Sequence, residues 1–163
     1  MASWRGMTKA DIEGVLGVAS EIHPDLPESA GVFAERLSIF PDGCLVLAQG
    51  DDICGYAVSH PIRAGDPPPL DHPIGEIAPD ADQYYIHDLA ILPRVRTRGL
   101  GAQCIEKLLL VADGYQTTCL ISVYNSVSFW GRFGFIPEPT DTILAAKIRG
   151  YGQDAVYLVR RNI

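Results

Sequence analysis

A chain of 163 residues, 47% hydrophobic and 20% charged, is long enough to bury a core without disulfide or metal staples and too apolar to be a disordered tail. Its net charge of -7 argues against a nucleic-acid backbone as partner and leaves neutral or cationic small ligands. No apolar run reaches the ~18 residues that span a bilayer, and the start MASWRGMTKADIE lacks the basic and apolar parts of a secretory leader, so a cytoplasmic protein with no membrane partner is expected.

TKADIEGVLGVASEIH predicts a first helix, opened by a Thr8–Asp11 capping box and placing Ile12, Val15, Leu16 and Ala19 on one face. ESAGVFAERLSIF predicts a second, with Ser29 as N-cap and Val32, Phe33, Leu37 and Phe40 as its apolar stripe. CLVLAQGDDICGYAVSHP reads as a hairpin of two strands turning at Gly-Asp and ending at Pro61. The proline-rich, acidic stretch from Ile62 to Gln83 has no usable period and is either a lid or a connector. YYIHDLAILP is a strand stopped by Pro93. GLGAQCIEKLLLVADG is a helix with Cys104, Ile105, Leu108, Leu109 and Ala112 at helical spacing, closed by Gly114. TTCLISVY is a further strand, NSVSFWGRFGF a shorter helical segment ending in Gly134, and DAVYLVR a last strand. This mixture predicts one α/β (α+β) unit with a mixed sheet over residues 1–163. Cys44, Cys54, Cys104 and Cys119 are scattered without a C-x-x-C pair, which reads as buried free thiols with no disulfide frame and no metal.

The stretch RTRGLG stands where a strand becomes a helix. The first N–H groups of a helix have no carbonyl partners and point outward with the positive end of its dipole. Gly99 and Gly101 remove side chains that would hold a phosphate away from those groups, and Arg94, Arg96 and Arg98 add positive charge. An ordinary structural turn is the competing reading. The dinucleotide fingerprint fails because Cys104 occupies its third glycine position, and no Gly-Lys-Ser/Thr of a triphosphate loop follows.

Arg96-x-x-Gly99-x-Gly101, preceded by LAILP and followed by FWGRFGF, resembles the motifs of the Gcn5-related N-acetyltransferase (GNAT) superfamily. The likeness extends over the layout of nearly the whole chain, with its motif-bearing core from Tyr84 to Phe135. It implies a mostly antiparallel central sheet flanked by helices and acetyl-coenzyme A as cosubstrate. It places the pantetheine arm on the free strand edge at Leu89, Ala90 and Ile91, and the pyrophosphate on the loop Arg96, Thr97, Arg98, Gly99, Leu100, Gly101 and Ala102. Pantetheine amides mimic a peptide, so an unpaired strand edge suits them. The ending RFGF and the strand ahead of the loop are closest to the arylalkylamine (serotonin-type) branch, whose two strand histidines fall here at Tyr85 and His87.

Residues i and i+2 share a strand face, so Tyr85 and His87 both face the thioester unless a bulge intervenes. His87 is then the general base, with an unperturbed pKa of ~6.5 suited to taking an ammonium proton; a histidine bonded within the sheet is the other reading. Asp88 reads as structural, and His23, His60 and His72 as solvated or loop histidines. The family's acidic tyrosine is replaced by Trp130, whose indole N–H does not ionise near neutrality; Trp130 shapes the pocket or stabilises a thiolate, and either Tyr124, Ser128 or water stands in as the acid or the thiolate leaves unprotonated. Asn125 is a pantetheine contact or an N-cap. Acidic loop residues Asp66, Asp71, Glu76, Asp80 and Asp82 hint at a cationic acceptor or form a solvated face. The resemblance therefore implies an N-acetyltransferase acting on a small-molecule or peptide amine, as a monomer or homodimer. Set against it are a catalytically weak acyl-coenzyme A sensor of the same fold and a small nucleotide-binding protein.

Overall fold

The computed structural model describes residues 1–162, apart from the side chains of Thr97 and Arg98. Seven strands form one sheet: β1 (Ser3–Gly6), β2 (Cys44–Gln49), β3 (Asp52–Ile62), β4 (Gln83–Ile91), β5 (Thr117–Ser122), β6 (Ile136–Pro137) and β7 (Val156–Arg161). Their spatial order is β1-β2-β3-β4-β5-β7-β6. Among the described residues, every neighbouring pair is antiparallel except β4 with β5, as the resemblance implies.

Alternation along the strands supplies two apolar faces. On one, α1 (Ile12–Ile22) and α2 (Ala30–Ile39) press Val15, Val18, Phe33 and Leu37 onto Val46, Tyr56, Val58 and Ala90. On the other, α3 (Leu100–Ala112) and α4 (Val127–Gly131) pack Cys104, Ile105, Leu108 and Trp130 against Leu47, Ala57, Ile86, Leu120 and Leu158. A third cluster joins Leu144 and Ile148 of α5 (Thr142–Arg149) to Tyr85, Cys119, Ile121 and Tyr157. Each aliphatic side chain fully removed from water contributes ~1.5–3 kcal/mol. An exposed ion pair such as Arg63–Asp80 adds ~0–1 kcal/mol, so the sandwich of helices on sheet carries the fold.

Local signals act as expected at both early helices. The Asp11 carboxylate accepts the Thr8 N–H at 2.7 Å, and the Ser29 hydroxyl accepts the Val32 N–H at 3.4 Å. All four cysteines are buried free thiols; burial pushes Cys44 and Cys119 up to about 12 and Cys104 higher. Elements that sequence patterning passes over are short. β1 buries only Trp4, β6 has two residues, and α5 buries only Leu144 and Ile148. No described helix is long and apolar enough to cross a membrane.

The segment between β3 and β4 is strapped down. The Glu35 carboxylate accepts the N–H groups of Ile74 and Gly75 at 2.7 and 3.1 Å, Arg36 donates to the His72 carbonyl at 2.9 Å, and Tyr151 donates to the Pro68 carbonyl at 2.9 Å. Asp66 pairs with Lys147, Asp80 with Arg63, and Asp82 accepts the Ala64 N–H. These contacts tie three of the loop's acidic residues to neighbouring cations and backbone.

β4 carries one residue too many for β3. Ser59 lies opposite Ile86 and Val58 opposite Asp88, leaving His87 as a bulge. The bulge reverses the facing of everything after it: Ile86 belongs to the α3 side, yet Ala90 joins the α1 side while Ile91 returns to the α3 side. Gly55 lets β3 approach this segment, since a Cβ there would stand 2.8 Å from the Ala90 carbonyl oxygen. Gly55→Ala should therefore lower stability by roughly 1–3 kcal/mol, read as a lower urea midpoint with an unchanged slope.

Candidate active site

Parallel pairing of β4 with β5 runs only from Tyr84 opposite Thr118 to Ile86 opposite Leu120. Beyond that point β5 stays bonded to β7 through Ser122 and β4 to β3 through Ile91. The facing edges part at the bulge, because an extra residue bends and twists its strand. From His87 onward that edge of β4 has no strand partner among the described residues. A cleft of about 650 Å³ fills the parting and runs from Leu89, Ala90 and Ile91 to the start of α3.

At that start Gly99 is the N-cap with φ 70°, a left-handed conformation that favours glycine. The first helix-closing bond is from the Gln103 N–H to the Gly99 carbonyl at 3.1 Å, so the N–H groups of Leu100, Gly101 and Ala102 precede the helical ladder. Gly99, Gly101 and Ala102 line the cleft, whereas the Leu100 side chain is buried in the core and its carbonyl accepts the Trp4 indole N–H at 2.7 Å. Arg96 lines the cleft too, tethered by its Nε to the Ile91 carbonyl at 2.8 Å. Arg94 turns away toward Gln49 and the Cys54 sulfur. The side chains of Thr97 and Arg98, expected in the same loop, lie outside what the structure describes.

Two buried hydrogen-bonded groups stand at the other end. In the first, His87 Nε2 meets Glu28 Oε1 at 2.7 Å, with 2% and 5% side-chain exposure, and His87 Nδ1 meets the Tyr85 hydroxyl at 3.2 Å. Both ring nitrogens are occupied, and Tyr85 stands behind His87 rather than beside it in the cleft. This corrects the expectation that the two share access to the thioester. Glu28 also accepts the Asp71 N–H at 3.0 Å, while Asp71 Oδ1 accepts the Ser29 N–H at 2.8 Å. The long loop is thereby clipped to the α1–α2 connection at the cleft.

The second group is centred on Asp88. Its carboxylate accepts His23 Nε2–H at 2.9 Å and the hydroxyl of Tyr56. Burial pushes Asp88 up, but the hydrogen bond and charge of His23 with the Tyr56 hydroxyl prevail and hold it below its ordinary value. Burial likewise pulls His23 down, and the bond to Asp88 with the charges of Asp88 and Glu28 outweighs it, so His23 is raised. Its other nitrogen, Nδ1, lies 3.3 Å from the Tyr124 hydroxyl, and the two rings stack at 5.5 Å and 14°. Tyr124 is 51% exposed and has φ 56°, followed by Asn125 at 58°. Consecutive left-handed non-glycine residues cost of order 1–3 kcal/mol each.

The cleft thus gathers His87, Tyr124, Trp130, Leu89, Ala90, Ile91, Arg96, Gly99, Gly101 and Ala102. Trp130 is buried and packs edge-on against Phe129 and Phe135. Asn125 does not line the cleft and is not the N-cap of α4, which is Ser126; the left-handed turn points its exposed position elsewhere. Ser128 is also outside the lining.

Sequence reasoning misassigned His23 and His60 as solvated and passed over Glu28. His60 is buried in β3, donates Nδ1–H to the Pro61 carbonyl at 3.1 Å, and is pushed down to about 3 chiefly by burial. His23 continues the stripe Ile12, Val15, Leu16, Ala19 by one further step of four, a signal of burial that was there to read. Nothing local marks Glu28, whose partner is 59 positions away. Among the described residues, no three His, Cys, Asp or Glu side chains converge as a metal site would require.

The acetyltransferase (GNAT) family model matches residues 12–135. No curated protein matches the sequence. Among solved structures, the loading GNATL domain of CurA from Lyngbya majuscula is similar with a TM-score of 0.75 at 14% identity, covering 99% of this chain and 98% of that one. The GphF GNAT-like decarboxylase in complex with isobutyryl-CoA has a TM-score of 0.74 at 17% identity over 99% and 100% of the two chains. Arabidopsis thaliana Naa50, in complex with the bisubstrate analogue CoA-Ac-MVNAL, has a TM-score of 0.70 at 15% identity over 97% and 96%.

Removing Glu28 strips a buried partner from His87 and unclips Asp71. Glu28→Ala should cost roughly 1–3 kcal/mol or more, measured by chemical denaturation. Limited proteolysis should cut faster between Ile62 and Gln83.

Proposed function

Because the chain belongs to the acetyltransferase (GNAT) family, we propose that it transfers an acetyl group from acetyl-coenzyme A to the nitrogen of a primary amine. The observation that carries this reading is the coincidence, in one cleft, of a free β4 edge and the N-terminus of α3. Pantetheine amides pair with Leu89, Ala90 and Ile91 as an added strand. The pyrophosphate sits on the N–H groups at Gly99, Gly101 and Ala102, with Arg96 beside it. Metal plays no part in this scheme.

Chemistry takes place where the strands part. An alkylammonium with pKa ~10 must lose a proton before its nitrogen can attack; the hydrogen-bonded His87–Glu28 pair is the base, and because both His87 nitrogens are bonded the proton reaches it through water at the Glu28 carboxylate, which lines the cleft. The nitrogen lone pair then forms the N–C bond to the carbonyl, and a β4 N–H near Leu89 or Ala90 stabilises the developing oxyanion. As the C–S bond breaks, its electron pair leaves on sulfur, which takes a proton from Tyr124; Trp130 shapes the slit. Holding both reactants in place supplies much of the rate.

The acceptor end favours an ammonium on an apolar body. Ile22, Leu26, Leu70 and Tyr151 line the cleft with the carboxylates of Glu28 and Asp88. This suits an acceptor like those of the arylalkylamine branch that the motifs resemble; a cytoplasmic location belongs to the same proposal and rests on the sequence alone.

Free-thiol release from acetyl-coenzyme A over a panel of amines tests the reading; coenzyme binding without amine-stimulated release sinks it. An added Cβ at Gly101 meets Phe129 at 3.6 Å and Ile91 at 3.7 Å, which are ordinary contacts. Gly101→Val should therefore fold, while its second branch obstructs the phosphate and weakens coenzyme A binding about tenfold or more by calorimetry. His87→Gln should keep coenzyme affinity and lower turnover by roughly 10²-fold, with the acid limb of the rate profile displaced.

A further inference from the structure

The chain Asp88–His23–Tyr124 runs from the buried face of β4, through the end of α1, to a half-exposed hydroxyl on the cleft. Asp88 fixes one histidine nitrogen at 2.9 Å and leaves the other 3.3 Å from the Tyr124 oxygen. Tyr124 is held there by ring stacking and by a left-handed backbone that its residue type disfavours. Stacking alone requires neither the Asp88 contact nor the strained turn.

A phenol by itself is the wrong acid for a thiolate. Ordinary values are ~10 for tyrosine and ~8.5 for a thiol, so the transfer is roughly thirtyfold uphill, and burial raises Tyr124 further. An imidazolium behind the phenol alters the balance, because the proton finally surrendered is the histidine's. We propose that His23, oriented by Asp88, is the proton source behind Tyr124, so that Tyr124 serves as an acid only while His23 carries its second proton.

The hydrogen bonds state the switch. With both nitrogens protonated, His23 donates Nε2–H to Asp88 and Nδ1–H to the Tyr124 oxygen, which turns the hydroxyl hydrogen toward the cleft. When the C–S bond breaks, sulfur takes that hydrogen and the Tyr124 oxygen takes the Nδ1 proton. His23 is left neutral, still donating to Asp88. The acceptor ammonium loses two protons on becoming an amide, the first to the His87–Glu28 pair and the second from nitrogen as the intermediate collapses; one of the two is returned through solvent to His23 and the other stays in solution, so ammonium and thioester give an amide, a thiol and one free proton. When His23 starts neutral, its Nδ1 lone pair takes the Tyr124 hydrogen and no proton is offered.

The groups facing this relay are Asp88 and His87 from β4, Tyr56 from β3, Glu28 and Asp25 from the α1–α2 connection, and Arg96 from the turn before α3. Asp88 and Glu28 favour the charged imidazole; Arg96 opposes it. A raised histidine holds its second proton at lower pH and loses it as pH climbs through the raised value, so the acid step fails on the alkaline side.

The inference rests on the transferase reading. With an amine that the unmodified protein accepts, His23→Gln should lower kcat by roughly 10²-fold, leave coenzyme A affinity in place, and abolish the alkaline limb of the kcat profile. In a Tyr124→Phe background His23→Gln should cost nothing further. Multiplying losses in the double variant, or an unmoved alkaline limb, overturn the relay while leaving the transferase reading intact. Histidine NMR gives a readout independent of turnover: His23 should titrate above the ordinary ~6.5 and shift down in Asp88→Asn. An ordinary midpoint unaffected by Asp88→Asn overturns the relay. A protein that binds coenzyme A but transfers no acetyl group to any amine overturns the transferase reading and the acid role together.

Discussion

One surplus residue in β4 sets the geometry of everything else. With His87 bulged against β3, the strand bends where its pairing with β5 stops, and the parting becomes the cleft. The same bulge shifts the facing of the strand by one residue. Asp88 and Ala90 are turned toward α1, and Leu89 and Ile91 toward α3. Without it Asp88 would share a face with Ile86, in an apolar cluster with no partner for a carboxylate.

The polar groups around the cleft are stabilised by mutual satisfaction. Glu28 sits between His87 and the backbone of Asp71; Asp88 sits between His23 and Tyr56. Each carboxylate is buried with at least two donors, which offsets the penalty of leaving water. The contacts also cross long sequence separations, so the α1–α2 connection, the long loop and β4 are ordered together. A loop rich in proline and acid acts as a fixed wall because Glu35, Arg36 and Tyr151 take up its backbone groups.

What the sequence revealed follows from the range of the forces involved. Capping at Thr8 and Ser29, the α3 stripe and the Gly99–Gly101 start of α3 are local, and they were readable as such. His87 and Trp130 were found through motif positions and Tyr124 as one stand-in for the missing tyrosine, and all three line one cleft. The bulge was not readable, because it is a mismatch between two strands and neither alone encodes it. Glu28 and Asp88 escaped notice as cleft carboxylates since their partners come from distant elements. The acidic residues of the loop drew attention through number, yet Asp66, Asp80 and Asp82 each have a partner that anchors the loop. Asn125 was misplaced because two successive left-handed residues redirect the chain after β5.

The buried cysteines bear on what happens after turnover. The proposed product carries a free thiol, and sulfurs exchange partners only when one is an accessible thiolate. Cys44, Cys54, Cys104 and Cys119 are all sealed in the core, and burial holds the thiols of Cys44, Cys104 and Cys119 protonated at neutral pH. The folded protein is therefore closed to mixed disulfides with its own spent cosubstrate, and redox drift in the coenzyme pool does not feed back on it through its cysteines.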